Sequence, residues 1–161
     1  MSTVPGGIPH PGVRFPPPTL FVAGFFIGWL LGRKYPLPLF RGDATQVGEV
    51  IGVVLVGLGL ALVFWGLLTF WSRRTGILPH HPASQIVRAG PYRYTRNPMY
   101  TGMAAAYVGV TLVMGDAWPL LLLPFAIWLL VRLVIAREER YLASAFPDEY
   151  DAYRREVRRW L

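Results

Sequence analysis

Cysteine is absent, lysine occurs once, and charged residues fill only 16% of the 161 positions. The missing thiol excludes a disulfide framework, a thiolate metal site and a cysteine nucleophile together. Soluble chains carry about 25% charge. A chain this poor in charge, 53% hydrophobic with a mean hydropathy of +0.38, is too apolar for an ordinary soluble domain and is expected in a bilayer. Acid is scarcer than base, with nine Asp and Glu against sixteen Lys and Arg. Fifteen of those sixteen are Arg, and with the Ala, Leu and Gly content this points to a GC-rich bacterial source.

What is present is a set of apolar runs. A spanning helix needs about 20 mostly apolar residues, with roughly 17 to 25 tolerated. Four stretches meet or approach that length, at 18–32, 47–71, 99–115 and 117–136. The turn Gly115-Asp116 leaves the last two as a tight antiparallel hairpin. Glu49 lies near one end of the second run and is expected to be structural, at the outer interface. With the N-terminus cytoplasmic, Arg14, Arg73, Arg74, Arg88, Arg93, Arg96 and every Arg from Arg132 onward share that side, thirteen of the sixteen basic residues. Only Arg33, Lys34 and Arg41 stay opposite, as the positive-inside rule prefers. The first run is expected to be a retained helix and not a signal peptide, because it lacks a small-x-small cleavage pattern. The expected class is therefore an all-α integral membrane protein, one domain over 1–161, in a bacterial inner membrane with both termini cytoplasmic. No nucleic-acid partner is expected.

Gly24, Gly28 and Gly32 recur every four residues on one face of the first run, and Gly48 and Gly52 do so in the second. Small residues at that spacing let helices approach closely. Packing within the chain's own bundle is the favoured role, with a homodimer face through Gly24, Gly28 and Gly32 as the alternative. Gly57 and Gly59 form a lone GxG with no strand before it, which carries no nucleotide site.

The C-terminal segment 137–161 changes character. Leu142, Phe146, Tyr150, Tyr153, Val157 and Trp160 recur at spacings of three and four, which is one face of a helix. Pro147 breaks the pattern into helices over 137–145 and 147–160, with Asp148 and Glu149 early and Arg154, Arg155, Arg158 and Arg159 late, as the helix dipole favours. An amphipathic helical lid over the cytoplasmic ends of the spans is expected, equally able to lie on an anionic leaflet. Between the second and third runs, 72–98 forms a cytoplasmic loop with no helix of ordinary length. A loop that long in a small chain is usually functional.

That loop ends in GPYRYTRNPMYTG at 90–102, and the fourth run delivers REERYLASAFPDEYDAYRREVRRW at 137–160. Together with the hairpin between them, these runs resemble the isoprenylcysteine carboxyl methyltransferase family, and more loosely the phospholipid methyltransferases. The resemblance implies a membrane enzyme that transfers a methyl group from S-adenosylmethionine. By position it implies cofactor contacts at Ser84, Gln85, Ile86, Val87, Tyr92, Asn97, Pro98, Met99 and Tyr100, with Glu138 and its neighbour Glu139 from the second motif. It implies substrate-side arginines at Arg96 and at Arg132 or Arg137, and these with Glu138 make the expected catalytic group. The family's Arg-His-Pro-x-Tyr stands here as Arg96-Asn97-Pro98-Met99-Tyr100. Asn has hydrogen-bonding capacity but does not titrate near neutral pH as His does, so no imidazole base is expected at this spot.

The residue types suit that chemistry. Carboxylates match the cationic and hydroxyl parts of the cofactor, Arg matches a carboxylate in bidentate fashion, and Tyr or apolar side chains match an adenine face. The implied acceptor is a lipophilic or prenylated small molecule drawn from membrane lipid. A carboxylate acceptor needs no base, whereas a phospholipid amine does. A non-catalytic scaffold or lipid-binding protein and a nicotinamide-dependent reductase are the competing classes. Each residue also has a plainer role: Arg93 and Arg96 as interfacial anchors, Arg132 snorkelling to the surface, Tyr100 in an aromatic belt, and Glu138 and Glu139 as a solvated helix start. His80 and His81 are adjacent, so they point apart on any regular element, and no metal site is expected.

Overall fold

The computed structural model describes residues 16–72 and 85–161, and every regular element among them is helical. Arg14, Arg73, Arg74, His80, His81 and Ser84 lie outside the described residues. Helix α1 (Pro18–Lys34) starts on a proline, whose missing N–H has no use in a first turn, and places Arg33 and Lys34 in its last turn, where the dipole favours cations. Helix α2 (Ala44–Ser72) has 29 residues, about 43 Å at 1.5 Å per residue, against the roughly 30 Å of a hydrocarbon core. Its outward face, including Val50, Val54, Leu58 and Phe64, is apolar and exposed along its length.

Helix α3 (Pro98–Met114) also begins on a proline and ends at Gly115, whose φ of 70° is the left-handed conformation a terminating glycine supplies. Asp116 then caps α4 (Ala117–Leu130), its carboxylate accepting the Trp118 amide at 3.0 Å. The same side chain accepts the Leu37 amide at 3.2 Å, tying the loop between α1 and α2 to the turn. After Pro124 the helix continues through a π turn (Val131–Ile135) directly into α5 (Ala136–Ala145). Residues 117–145 form one continuous helix, so the expected span over 117–136 and the expected helix from 137 run together, because no proline, glycine or cap interrupts 125–145. This helix and α2 are the two that are long and apolar enough to cross a membrane, while Pro98–Met114 is a shorter apolar helix.

The turn between α3 and α4 is tight as expected, but the hairpin is not the main packing unit. Helix α3 packs chiefly on α2, and α4 chiefly on α1. On α1, a Cβ at Gly28 would lie 2.6 Å from the Pro119 Cα and one at Gly32 would lie 2.8 Å from the Asp116 carboxylate, so this glycine stripe faces α4 of the same chain. Between α2 and α3 the fit is closer and reciprocal. A Cβ on Gly59 would meet the Gly102 carbonyl oxygen at 2.5 Å, and one on Gly102 would meet the Gly59 oxygen at 2.5 Å. Gly52 and Gly109 repeat the arrangement at 2.6 and 2.5 Å. The seven-residue spacing on both helices is the repeat that keeps two helices in contact along their length.

The core formed by Phe21, Tyr100, Tyr107, Leu123, Leu130, Val134 and Ile135 sits where α1, α3 and α4 meet. A smaller cluster of Tyr150, Tyr153 and Val157 joins α6 (Pro147–Glu156) to Ile86 and Leu142. The expected helix to 160 stops at Glu156. Val157 is extended, with φ −120° and ψ 130°, because residues 158 and 159 give their carbonyls to the chain at 95–97 instead of to a further turn.

Candidate functional site

A 3₁₀ turn (Gly90–Arg93) brings the loop onto the bundle. Gly90 has φ 56°, and a Cβ there would stand 2.4 Å from the Thr69 hydroxyl, so a glycine is required both by conformation and by space. The loop then crosses the start of α3, where the C-terminal strap is stitched to it. The Arg96 amide donates to the Arg158 carbonyl at 2.9 Å. The Thr95 hydroxyl and the Asn97 side-chain amide both donate to the Arg159 carbonyl, at 3.1 and 3.0 Å. Thr95 and Asn97 are buried, at 1% and 8% exposure.

The same crossing places three charges together. Glu139 accepts two bonds from the Arg159 guanidinium, at 3.0 Å from Nε and 2.7 Å from Nη2. It also lies 3.3 Å from Nη1 of Arg96. That Nη1 donates at 3.0 Å to the Tyr150 hydroxyl. Nε of Arg96, on the opposite edge of the guanidinium, is buried and has no hydrogen-bond partner among the described residues. That edge is open in hydrogen-bonding terms: a buried donor without a partner is costly, and an anion admitted beside it would form a charge-assisted bond. Burial pushes the Tyr150 phenol above its ordinary pKa, with Glu139 adding to the shift and Arg96 opposing it. The hydrogen bond from Glu139 likewise holds Arg159 above its usual range.

Next to this cluster the two motifs meet directly. The Tyr100 hydroxyl donates to Oε1 of Glu138 at 2.9 Å. Tyr92 packs edge-on against Phe70 with ring centroids 5.0 Å apart, and its buried hydroxyl has no partner among the described residues. Burial, then the Tyr153 and Glu138 charges, raise its pKa, so the group is a neutral donor. The Tyr92 carbonyl accepts the Tyr153 hydroxyl at 2.7 Å, fixing α6 to the turn. Outside this wall, Gln85, Ile86, Val87, Arg88, Ala89 and Glu149 line an open cleft of about 460 Å³. Arg88 closes one end of it, donating to the Glu149 carbonyl, lying 3.7 Å from the Glu156 carboxylate and stacking over the Tyr153 ring at 5.5 Å.

The structure thus brings together Arg96, Glu138, Glu139, Tyr92 and Tyr100 of the expected site, and groups Gln85, Ile86 and Val87 along the cleft beside them. Asn97 is directed to the strap, buried Pro98 starts α3, and Met99 lies over Gly66. Arg132, in the π turn that follows α4, is exposed, its guanidinium 5.9 Å from the Trp128 ring. Arg137 is half-buried on α5, one residue before Glu138. Thr95, Tyr150, Tyr153 and Arg159 had not been singled out as site residues. The spacing of Tyr150 and Tyr153 on the apolar face of α6 was the available signal for two of them.

Comparison with known proteins shows the family. A family model described as phospholipid methyltransferase matches residues 47–149, well over half of the chain. The protein-S-isoprenylcysteine O-methyltransferase of Schizosaccharomyces pombe is 35% identical over 72 residues, which are 45% of this chain and 30% of that protein. Its namesake in Saccharomyces cerevisiae is 28% identical over 116 residues, 71% of this chain and 48% of that protein. The cobalt-zinc-cadmium resistance protein CzcN of Cupriavidus metallidurans is 30% identical over 118 residues, 71% of this chain and 51% of that protein. The chain spans about half or less of the length of these relatives. No solved structure matches it. The chain belongs to the phospholipid methyltransferase family, and the two yeast relatives uphold the resemblance to the isoprenylcysteine enzymes.

Proposed function

We propose that this member of the phospholipid methyltransferase family moves a methyl group from S-adenosylmethionine to the carboxylate of a lipophilic acceptor of isoprenylcysteine type. The observation that carries the reading is Arg96: a buried guanidinium whose Nε edge has no partner, one turn from the Tyr100–Glu138 pair. S-adenosylmethionine would supply an electrophilic methyl group on a sulfonium. Residues present suit it: the buried Tyr92 hydroxyl without a partner, the Glu138 carboxylate oriented by Tyr100, and the cleft along Gln85, Ile86 and Val87. Glu138 favours positive charge nearby, and Tyr92 offers a donor to a carboxylate or ribose oxygen.

Arg96 would hold the acceptor carboxylate through its open edge, aiming one oxygen at the methyl carbon. Transfer from a sulfonium to a carboxylate oxygen would leave the C–S electron pair on sulfur, so this chain's residues would need to move no proton and supply no base. Alignment of this kind can contribute on the order of 7 to 11 kcal/mol. In this reading helices α1 to α4 would cross a bacterial inner membrane with both termini cytoplasmic, and α5, α6 and the strap would form the lid. The exposed apolar faces of α2 and α4 give the acceptor a route from the bilayer. Incubating membranes that hold the protein with methyl-labelled S-adenosylmethionine, then analysing extracted lipids by mass spectrometry, tests the reading. A labelled, base-labile methyl ester is expected; label confined to phospholipid amines overturns the carboxylate assignment, and no label at all overturns the transfer.

A further inference from the structure

We infer that Asn97 is a positioning residue, whose side-chain amide latches the C-terminal strap across the start of α3 and so holds Arg96 in the orientation that presents its open edge. This rests on the reading of Arg96 as the anion-binding group of the proposed transfer. Asn97 is 8% exposed, and its Nδ2 donates to the Arg159 carbonyl at 3.0 Å. Thr95 gives a second bond to the same carbonyl, and the Arg96 amide takes the carbonyl of Arg158. Three donors from consecutive residues therefore clasp two consecutive carbonyls of a segment that has left its helix.

The clasp matters because of what the strap carries. With its backbone fixed, Arg159 reaches Glu139 through two bonds, and Glu139 in turn lies 3.3 Å from Nη1 of Arg96. Trp160 anchors the far side of the strap against the core. Nη1 of Arg96 is thus held by Glu139 and Tyr150, which leaves Nε facing away from both. Releasing the strap frees Arg159, loosens Glu139, and lets the Arg96 guanidinium turn. An asparagine serves here because its side-chain amide puts a donor within 3.0 Å of the Arg159 carbonyl. A histidine would place Nδ1 at the same distance from the backbone as Nδ2 of asparagine and can donate likewise, whereas alanine cannot.

Site-resolved hydrogen exchange in detergent, with steady-state methyl transfer, tests the latch in wild type, Asn97→Ala and Asn97→His. The Arg96 amide is the reporter, because its acceptor is the Arg158 carbonyl. Loss of one buried bond is expected to speed its exchange about three- to tenfold in Asn97→Ala, leaving α2 amides unchanged. The acceptor KM is expected to rise by a similar factor, with kcat and S-adenosylhomocysteine affinity within about twofold of wild type and Asn97→His restoring both readouts. Exchange at Arg96 that does not respond to Asn97→Ala overturns the latch, as does a histidine variant that behaves like alanine. Faster exchange with an unchanged KM overturns the positioning role. If wild type makes no methylated product, the transfer itself fails while the exchange readout still decides the latch.

Discussion

Tyr100 and Glu138, 38 residues apart in the chain, are joined by a 2.9 Å hydrogen bond from phenol to carboxylate. With the Arg96–Glu139 contact, it links the segment that opens α3 to the helix that continues α4. Tyr100→Phe removes the donor and leaves the half-buried carboxylate short of a partner, a loss of about 1 to 3 kcal/mol in a charge-assisted bond. S-adenosylhomocysteine is expected to bind roughly ten- to a hundredfold more weakly by calorimetry, with the helical content unchanged. Equal affinity in the two proteins would place the cofactor elsewhere.

Arg96 is the residue for which a like charge is not a substitute. Lysine keeps the positive charge but has no Nε edge, no fork and no way to hold Glu139 and Tyr150 while receiving an anion. Arg96→Lys is expected to lower kcat/KM for the acceptor at least tenfold while leaving S-adenosylhomocysteine affinity close to wild type. A fall in cofactor affinity as large as the fall in kcat/KM would assign Arg96 to the cofactor's own carboxylate.

The glycine pairs of α2 and α3 make a prediction about stability. A Cβ at Gly59 would lie 2.5 Å from the Gly102 carbonyl oxygen and 2.7 Å from the Ala106 nitrogen, both backbone atoms that cannot swing aside. Gly59→Ala is expected to destabilise the protein by about 2 kcal/mol or more, toward the upper range of overpacked sites. Gly57, two residues away, has nothing within 4 Å of its would-be Cβ. Gly57→Ala should be neutral or slightly stabilising, by up to about 1 kcal/mol. Denaturant titration in mixed micelles compares the two, and equal effects would contradict the packing.

Alkaline pH should loosen the packing of α6. Burial raises the Tyr153 phenol, with Arg96 opposing and Tyr150 adding, and it raises Tyr150 as well. The folded state therefore keeps protons that the unfolded state loses near pH 10. The stability these groups contribute is complete below about pH 10 and falls as pH rises above it. Tyr153→Phe, which also loses the 2.7 Å bond to the Tyr92 carbonyl, should be less stable at neutral pH but show a shallower alkaline decline. Thermal unfolding at pH 8, 10 and 11 measures both slopes.

Much of this could be read from residue order, for identifiable reasons. Prolines at 18, 98 and 147 and the glycine at 115 mark helix ends by local backbone chemistry, and those ends stand where the residues put them. The strap shows where periodicity stops being informative. Val157 and Trp160 turn inward whether the chain stays helical or extends, so the apolar repeat cannot see the carbonyls leave for Thr95, Arg96 and Asn97. The Glu139–Arg159 pair was hidden for a related reason: its partners are 20 residues apart and meet only because α5 and the strap turn back on one another. The seven-residue glycine spacing on α2 was present in the sequence, but Gly48 and Gly57 lie among the same residues and blur the repeat.

The paired glycines have a mechanical meaning as well. Two backbones that touch carbonyl to Cα at Gly52–Gly109 and Gly59–Gly102 cannot slip past each other by a turn without driving side chains into main chain. Helices α2 and α3 behave as a single beam. A bilayer that thickens or thins would tilt the beam as a whole, and Pro98, with Arg96 just ahead of it, would move with α2 as one piece. The geometry around Arg96 is thereby insulated from the lipids that surround the two helices.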